Sequence, residues 1–168
     1  VQSYIGLTKR DYRGEARLAL SDAECRVHVL SAAYRFTLAD GEMQPVRIEL
    51  FLDDVVTMIS NLIRRRDQHV ASQIETQAQL AVDRIIPLGF LIVDVVSRAL
   101  RDTPGVAVTI GVHDVDASTI EIALSVDRDI AHTAPPKIFA GLVAQIEATQ
   151  TVEPHGRSLG VWRVRHTG

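Results

Sequence analysis

The chain has 168 residues, 46% of them hydrophobic and 23% charged, with a mean hydropathy of +0.10, a balance that excludes a disordered or fibrous polymer. Eighteen Lys and Arg stand against 21 Asp and Glu, a net charge of −3, so the basic excess of a nucleic-acid binder is missing and no nucleic-acid partner is expected. The longest apolar stretch, Ile85 to Val93, holds nine residues and a proline, far short of the roughly 20 that a membrane helix needs.

The opening VQSYIGLTKR has no basic-then-apolar leader and reads as the middle of a helix, as expected of a fragment. The single Cys25 has no disulfide partner and no CxxC neighbour for zinc, which fits a reducing, cytoplasmic setting. A short first helix is expected from Gln2 to Arg10, then a turn over Asp11 to Gly14. Beyond it Ala16, Leu20, Ala23, Val27, Leu30 and Tyr34 recur at spacings of four and three, the seam of a second helix. The two make an αα-hairpin too small to cover its own seam. A second copy is the expected cover, giving a four-helix bundle and a homodimer.

The helical period stops near Ala39-Asp40-Gly41, which places a domain boundary at Met43: residues 1–43 for the hairpin and 44–168 for a second unit. A third helix is expected from Val46 to Leu62, closing in the cations Arg64-Arg65-Arg66. Val70, Ser72, Ile74 and Thr76 alternate as a strand, and from Asp83 a helix runs apolar almost all round through Leu100. Two strands follow Pro104-Gly105, at Val106 to Val112 and Ile120 to Val126, forming an antiparallel hairpin. Pro135 and Pro136 open a last helix expected to reach Gln150, with strands at Thr151 to Glu153 and Ser158 to His166. The fold class expected is α+β: the hairpin, then an α/β sandwich with a mixed sheet.

On the apolar helix the polar residues form one stripe: Asp94, Ser97, Arg98 and Arg101 stand at i, i+3, i+4 and i+7. One reading makes Asp94 and Arg98 an i,i+4 ion pair at a solvated edge, worth about 0.3–0.5 kcal/mol. The other makes the stripe the wall of a pocket. His28 is expected to be an exposed helix residue, and His69, His113, His132, His155 and His166 have no HxH or HExxH spacing for zinc. Trp162 is expected in the core or at a sheet edge.

RVHVLSAAYRFTL (Arg26 to Leu38), VDRIIPLGFLIVDVVSRALRD (Val82 to Asp102), IEIALSVDRD (Ile120 to Asp129), GLVAQIE (Gly141 to Glu147) and GRSLGVWRV (Gly156 to Val164) together resemble the core of bacterial sensor histidine kinases, in the subfamily with an atypical dimerisation hairpin and a GHKL-type ATPase domain. The second is the most specific, being similar to the family's VxLDxAIPLGLIxNELxxNAxKH stretch. The resemblance implies that Asp94 stands at the family's water-activating or metal-ordering Glu, and Asp127 at the Asp that accepts a hydrogen bond from adenine. It puts Arg98 at the metal-coordinating Asn, and a guanidinium has no lone pair for Mg²⁺. Asp129 falls at the Gly of the DxG box, placing a Cβ and a negative charge where backbone approaches a polyanion. Six residues separate Asp129 from Pro136, too few for a glycine-rich lid around phosphates.

The resemblance therefore implies a two-component signalling protein with a degenerate ATP site, a dimeric phosphotransfer or scaffold module for a response-regulator receiver, with no cofactor expected. Its alternative is an active kinase using ATP and Mg²⁺ to phosphorylate a His preceding Val1, since no HRxKN-type motif stands in Val1 to Arg10. Arg98 and Arg101 also admit a third reading, in which they hold an anion without metal.

Overall fold

The computed structural model describes residues 14–38, 44–63 and 67–166. The first helix expected at Gln2 to Arg10 and the cations Arg64 to Arg66 lie outside them. The elements are helix α1 (Glu15–Thr37), strand β1 (Val46–Arg47), helix α2 (Ile48–Leu62), strands β2 (His69–Glu75) and β3 (Gln79–Leu80), helix α3 (Val82–Asp102), strands β4 (Ala107–Asp116) and β5 (Thr119–Val126), helix α4 (Ile138–Gln145), and strands β6 (Ala148–Val152) and β7 (Ser158–Arg165).

Five strands form a mixed sheet in the order β2-β4-β5-β7-β6, parallel only at β2–β4 and antiparallel elsewhere. The parallel pair is connected through α3, as a parallel crossover requires. Alternation along β4 and β5 buries Val108, Ile110, Val112, Ile120, Ile122 and Leu124 on one face, and the amphipathic α2 and α3 complete the core against it. Trp162 on β7 is 2% exposed, in the core.

Several element boundaries differ from the sequence-based expectation: β4 runs on to Asp116, the last helix starts at Ile138, and two further differences have a clear physical reason. Val46 and Arg47 do not begin the third helix but pair with Leu80 and Gln79 as β1–β3; Val46 is β-branched and buried there. The last helix stops at Gln145, not Gln150, because the following residues pair with β7, Ala148 opposite Val164 and Gln150 opposite Trp162. Glu147 turns the chain with φ 55. The Arg84 guanidinium closes that helix end by donating to the Ile146 carbonyl from Nε (3.1 Å) and Nη2 (2.6 Å).

Helix α1 is apolar on two sides. Cys25, Val29, Ala32 and Ala33 are buried within the same core cluster as α2 and α3. The approach to α3 is close: a Cβ at Gly89 would stand 2.7 Å from both Val29 Cγ1 and Phe51 Cζ, so only glycine lets the helices meet at this spacing. The seam read from the sequence faces outward, with Leu30 and Tyr34 exposed, and Leu38 just past the helix is exposed as well. Among the described residues no helix is long and apolar enough to cross a membrane.

Candidate functional site

The polar stripe of α3 comes through the fold intact. Asp94, Ser97 and Arg98 are half-buried and Arg101 is exposed, while Val93, Val95, Val96 and Ala99 between them are buried. The end of the helix is held by Gln68, whose side-chain amide donates to the carbonyls of Leu100 (2.6 Å) and Thr103 (3.2 Å), two groups that the helix itself leaves unpaired.

The partners on the stripe differ from those expected of an i,i+4 pair. Asp94 is not joined to Arg98; its Oδ2 accepts from Nη2 of Arg26 on α1 at 3.3 Å, and the same guanidinium lies 5.2 Å from the Phe90 ring centroid. Burial pushes the Asp94 carboxyl above the usual carboxylate range, an effect that Arg26 opposes and Asp22 reinforces. Arg98 points the other way. Its Nη1 donates to the Ala134 carbonyl at 3.2 Å and its guanidinium stacks over Phe139 at 5.5 Å.

Between α3 and the loop that follows β5 lies a cavity of about 50 Å³, lined among others by Val95, Arg98, Asp102, His132 and Phe139. The loop over it is stitched to the β6–β7 turn: the Ile130 amide donates to the Gly156 carbonyl (3.2 Å) and His132 Nε2 lies 2.9 Å from the same oxygen. Asp102 and Phe139 escaped the sequence reading, although Asp102 stands four residues after Arg98 on the same helix face. His132, placed in a loop by its sequence context, is there.

The remaining site candidates stand apart from this cavity lining. Asp127 is exposed and held in place by the Ala107 amide (3.1 Å) and by Arg128, whose Nε and Nη2 reach it at 3.1 and 2.7 Å. The Arg128 hydrogen bond, then the amide, lower its pKa to about 2. Asp129, also exposed, meets Arg157 Nε at 3.5 Å. Arg101 borders a second cavity of about 220 Å³ between helices, with Cys25, Ile59, Leu62 and Ser97. His28 is not an exposed helix residue: it is half-buried, with Nε2 3.0 Å from Asp54 Oδ2 on α2, and Arg35 reaches Asp54 Oδ1 at 3.4 Å. Among the described residues no group of three or more His, Cys, Asp or Glu is arranged to hold a metal.

An αβ sandwich with a mixed sheet, a long helix bearing one polar face, and a further helix docked upon it make up a fold shared with histidine kinase domains. The structure is similar to the histidine kinase domain of the blue-light activated histidine kinase of Erythrobacter litoralis, with a TM-score of 0.70 and 14% identity over 98% of this chain and 93% of that one. It is also similar to the mycobacterial sensor histidine kinase MprB (TM-score 0.56, 16% identity, 73% of this chain and 97% of that one). A third likeness is to full-length ShkA in complex with AMPPNP (TM-score 0.54, 13% identity, 91% of this chain and 39% of that one). No family model and no curated protein matches the sequence.

Proposed function

We propose that the chain is a two-component signalling module of histidine-kinase architecture whose ATP site has decayed, working in the cytoplasm as a dimeric phosphotransfer or scaffold unit for a response-regulator receiver. The observation that carries this reading is the cavity under the loop after β5. At about 50 Å³ it has room for a few waters, whereas sites for ligands of nucleotide size run to about 300 Å³ and above. Arg98 fills the position where the resemblance implies a metal-coordinating amide, and it is committed to Ala134 and Phe139. A guanidinium has no lone pair to offer Mg²⁺. The residues present do not fit that ion.

In this reading the division at Met43 is a functional one: α1 supplies the dimer face and residues 44–168 the ATPase-type body. The outward seam of Leu30 and Tyr34 supports a second copy as its cover. Light scattering is expected to give a dimer, and a monomer at high concentration would count against this part. Isothermal titration with MgATP is the main test; no heat of binding is expected, and micromolar affinity would overturn the reading. The phosphotransfer form calls for an acceptor histidine preceding Val1, the scaffold form for none.

A second reading, an active kinase, draws on the carboxylates kept at Asp94 and Asp127. Acid-labile phosphate formed from labelled ATP on an N-terminally extended chain would favour it, and its absence would remove it.

A further inference from the structure

Asp94, at the position where the resemblance implies catalysis, lines neither side of the cavity under the loop. Its carboxylate faces α1, where Arg26 meets it at 3.3 Å while lying over Phe90. Further along α1, His28 and, about two turns beyond it, Arg35 converge on a second carboxylate, Asp54 of α2. Between these points the apolar contact of Val29 with Gly89 and Phe51 leaves no spare volume. Charge attachment on both sides of a close-packed ridge is what holds one helix on another in a fixed register: packing sets the distance, and the directional pairs set rotation and slide.

We propose that Asp94 is a positioning residue, one half of a two-point clasp that fastens the hairpin helix to the ATPase-type body and makes the two a single rigid unit. The clasp rests on the reading of α1 and the body as functionally distinct parts, but not on whether nucleotide binds. The stripe on α3 works, at Asp94, as an attachment face. Loosening the clasp lifts α1 and uncovers what lies beneath it, which includes the chain's single cysteine.

Cys25 is adjacent to Arg26 and 6% exposed, on the wall of the 220 Å³ cavity beside Arg101, so the change in its labelling by an aromatic disulfide reagent between variants under native conditions reads the loosening of α1. Arg26→Gln is expected to raise the labelling rate about two- to five-fold, the range for a partly exposed ion pair, and to leave it within about 1.5-fold when introduced into Asp94→Asn, where no charge remains to be stranded. Arg26→Lys is expected to restore most of the protection. The rate is also expected to depend weakly on low urea, as local opening does; labelling that follows only the steep urea dependence of global unfolding would overturn the clasp. Equal effects of Arg26→Gln in both backgrounds, or no effect in the parent, would overturn it too. Nucleotide plays no part in this measurement, so MgATP binding would remove the proposed function and leave the clasp standing, while uncoupled labelling would do the reverse.

Discussion

The two sides of α3 solve opposite problems with the same helix. Toward α1, at Gly89, the side chains of Val29 and Phe51 meet the bare backbone with no room for a further methyl, and the Arg26–Asp94 pair stands at the margin, with the 220 Å³ cavity beside Arg101 one to two turns further along α3. Toward the loop after β5 the packing is open enough to leave a small cavity, closed by a guanidinium stacked on an aromatic ring and by a few backbone hydrogen bonds. The first side is an interior whose energy is dispersion and burial; the second is a surface recess whose energy is local and polar. Side chains on the first are expected to matter for folding, and those on the second for what the recess can accept.

This contrast can be broken most severely at Phe51, wholly buried at the α1–α3 junction. Phe51→Ala is expected to cost about 3–5 kcal/mol, measured by urea unfolding; a loss below 1 kcal/mol would mean that the junction is not a true interior. Gly89→Ala comes next. Helix propensity favours alanine by about 1 kcal/mol, but the added methyl must displace Val29 and Phe51, and a net loss of about 1–2 kcal/mol is expected. A stabilised variant would show that α1 is free to back away.

The carboxylates sharpen the comparison through pH. Asp94 has its folded pKa raised, so the folded state takes up that proton more readily than the unfolded chain, and the group favours folding progressively as pH falls from above its folded value toward the ordinary aspartate value of 3.8. Asp127 has the opposite sign: held at about 2, its contribution is complete above the unfolded value and lost as pH falls through about 2. Carboxyl-carbon NMR titration is expected to place the two midpoints on opposite sides of 3.8, and Arg26→Gln to move only that of Asp94, upward. Coincident midpoints would contradict the burial of one and the pairing of the other. The smallest effect is expected at Arg98, where Arg98→Ala changes stability by no more than about 0.5 kcal/mol while speeding hydrogen exchange of the Ile130 amide.

What was legible in the sequence was whatever periodicity alone decides. The alternation of Val108, Ile110 and Val112 against Ile120, Ile122 and Leu124 gave the strand pair, and the stripe from Asp94 to Arg101 marked the one side of α3 that is not core. What stayed hidden depends on partners far along the chain. Arg26 and Asp94 are 68 residues apart, so a spacing rule finds Arg98 first and assigns the wrong mate. The seam at Val27 and Leu30 implies an exposed His28, but a second apolar side of α1, at Cys25, Val29 and Ala32, turns inward and carries His28 to Asp54. The early end of the last helix was invisible for a like reason: Ala148 to Val152 tolerate a helical reading until β7 is there to pair with them. In the recess, the place of Arg98 on the polar side of α3 was readable from periodicity, while Phe139 and Ala134 as its companions were not.

Trp162 lies on β7, beside the backbone of Gly160, whose φ of 134 is open to few other residues. Because it is the only indole in the chain and is sealed in the sheet layer, its fluorescence follows the melting of the strands, while the lone thiol on α1 follows the helix. The molecule thus carries two native optical and chemical reporters in separate layers, and a denaturation series recorded with both, without any added dye or engineered label site, shows at once whether sheet and docked helix come apart together.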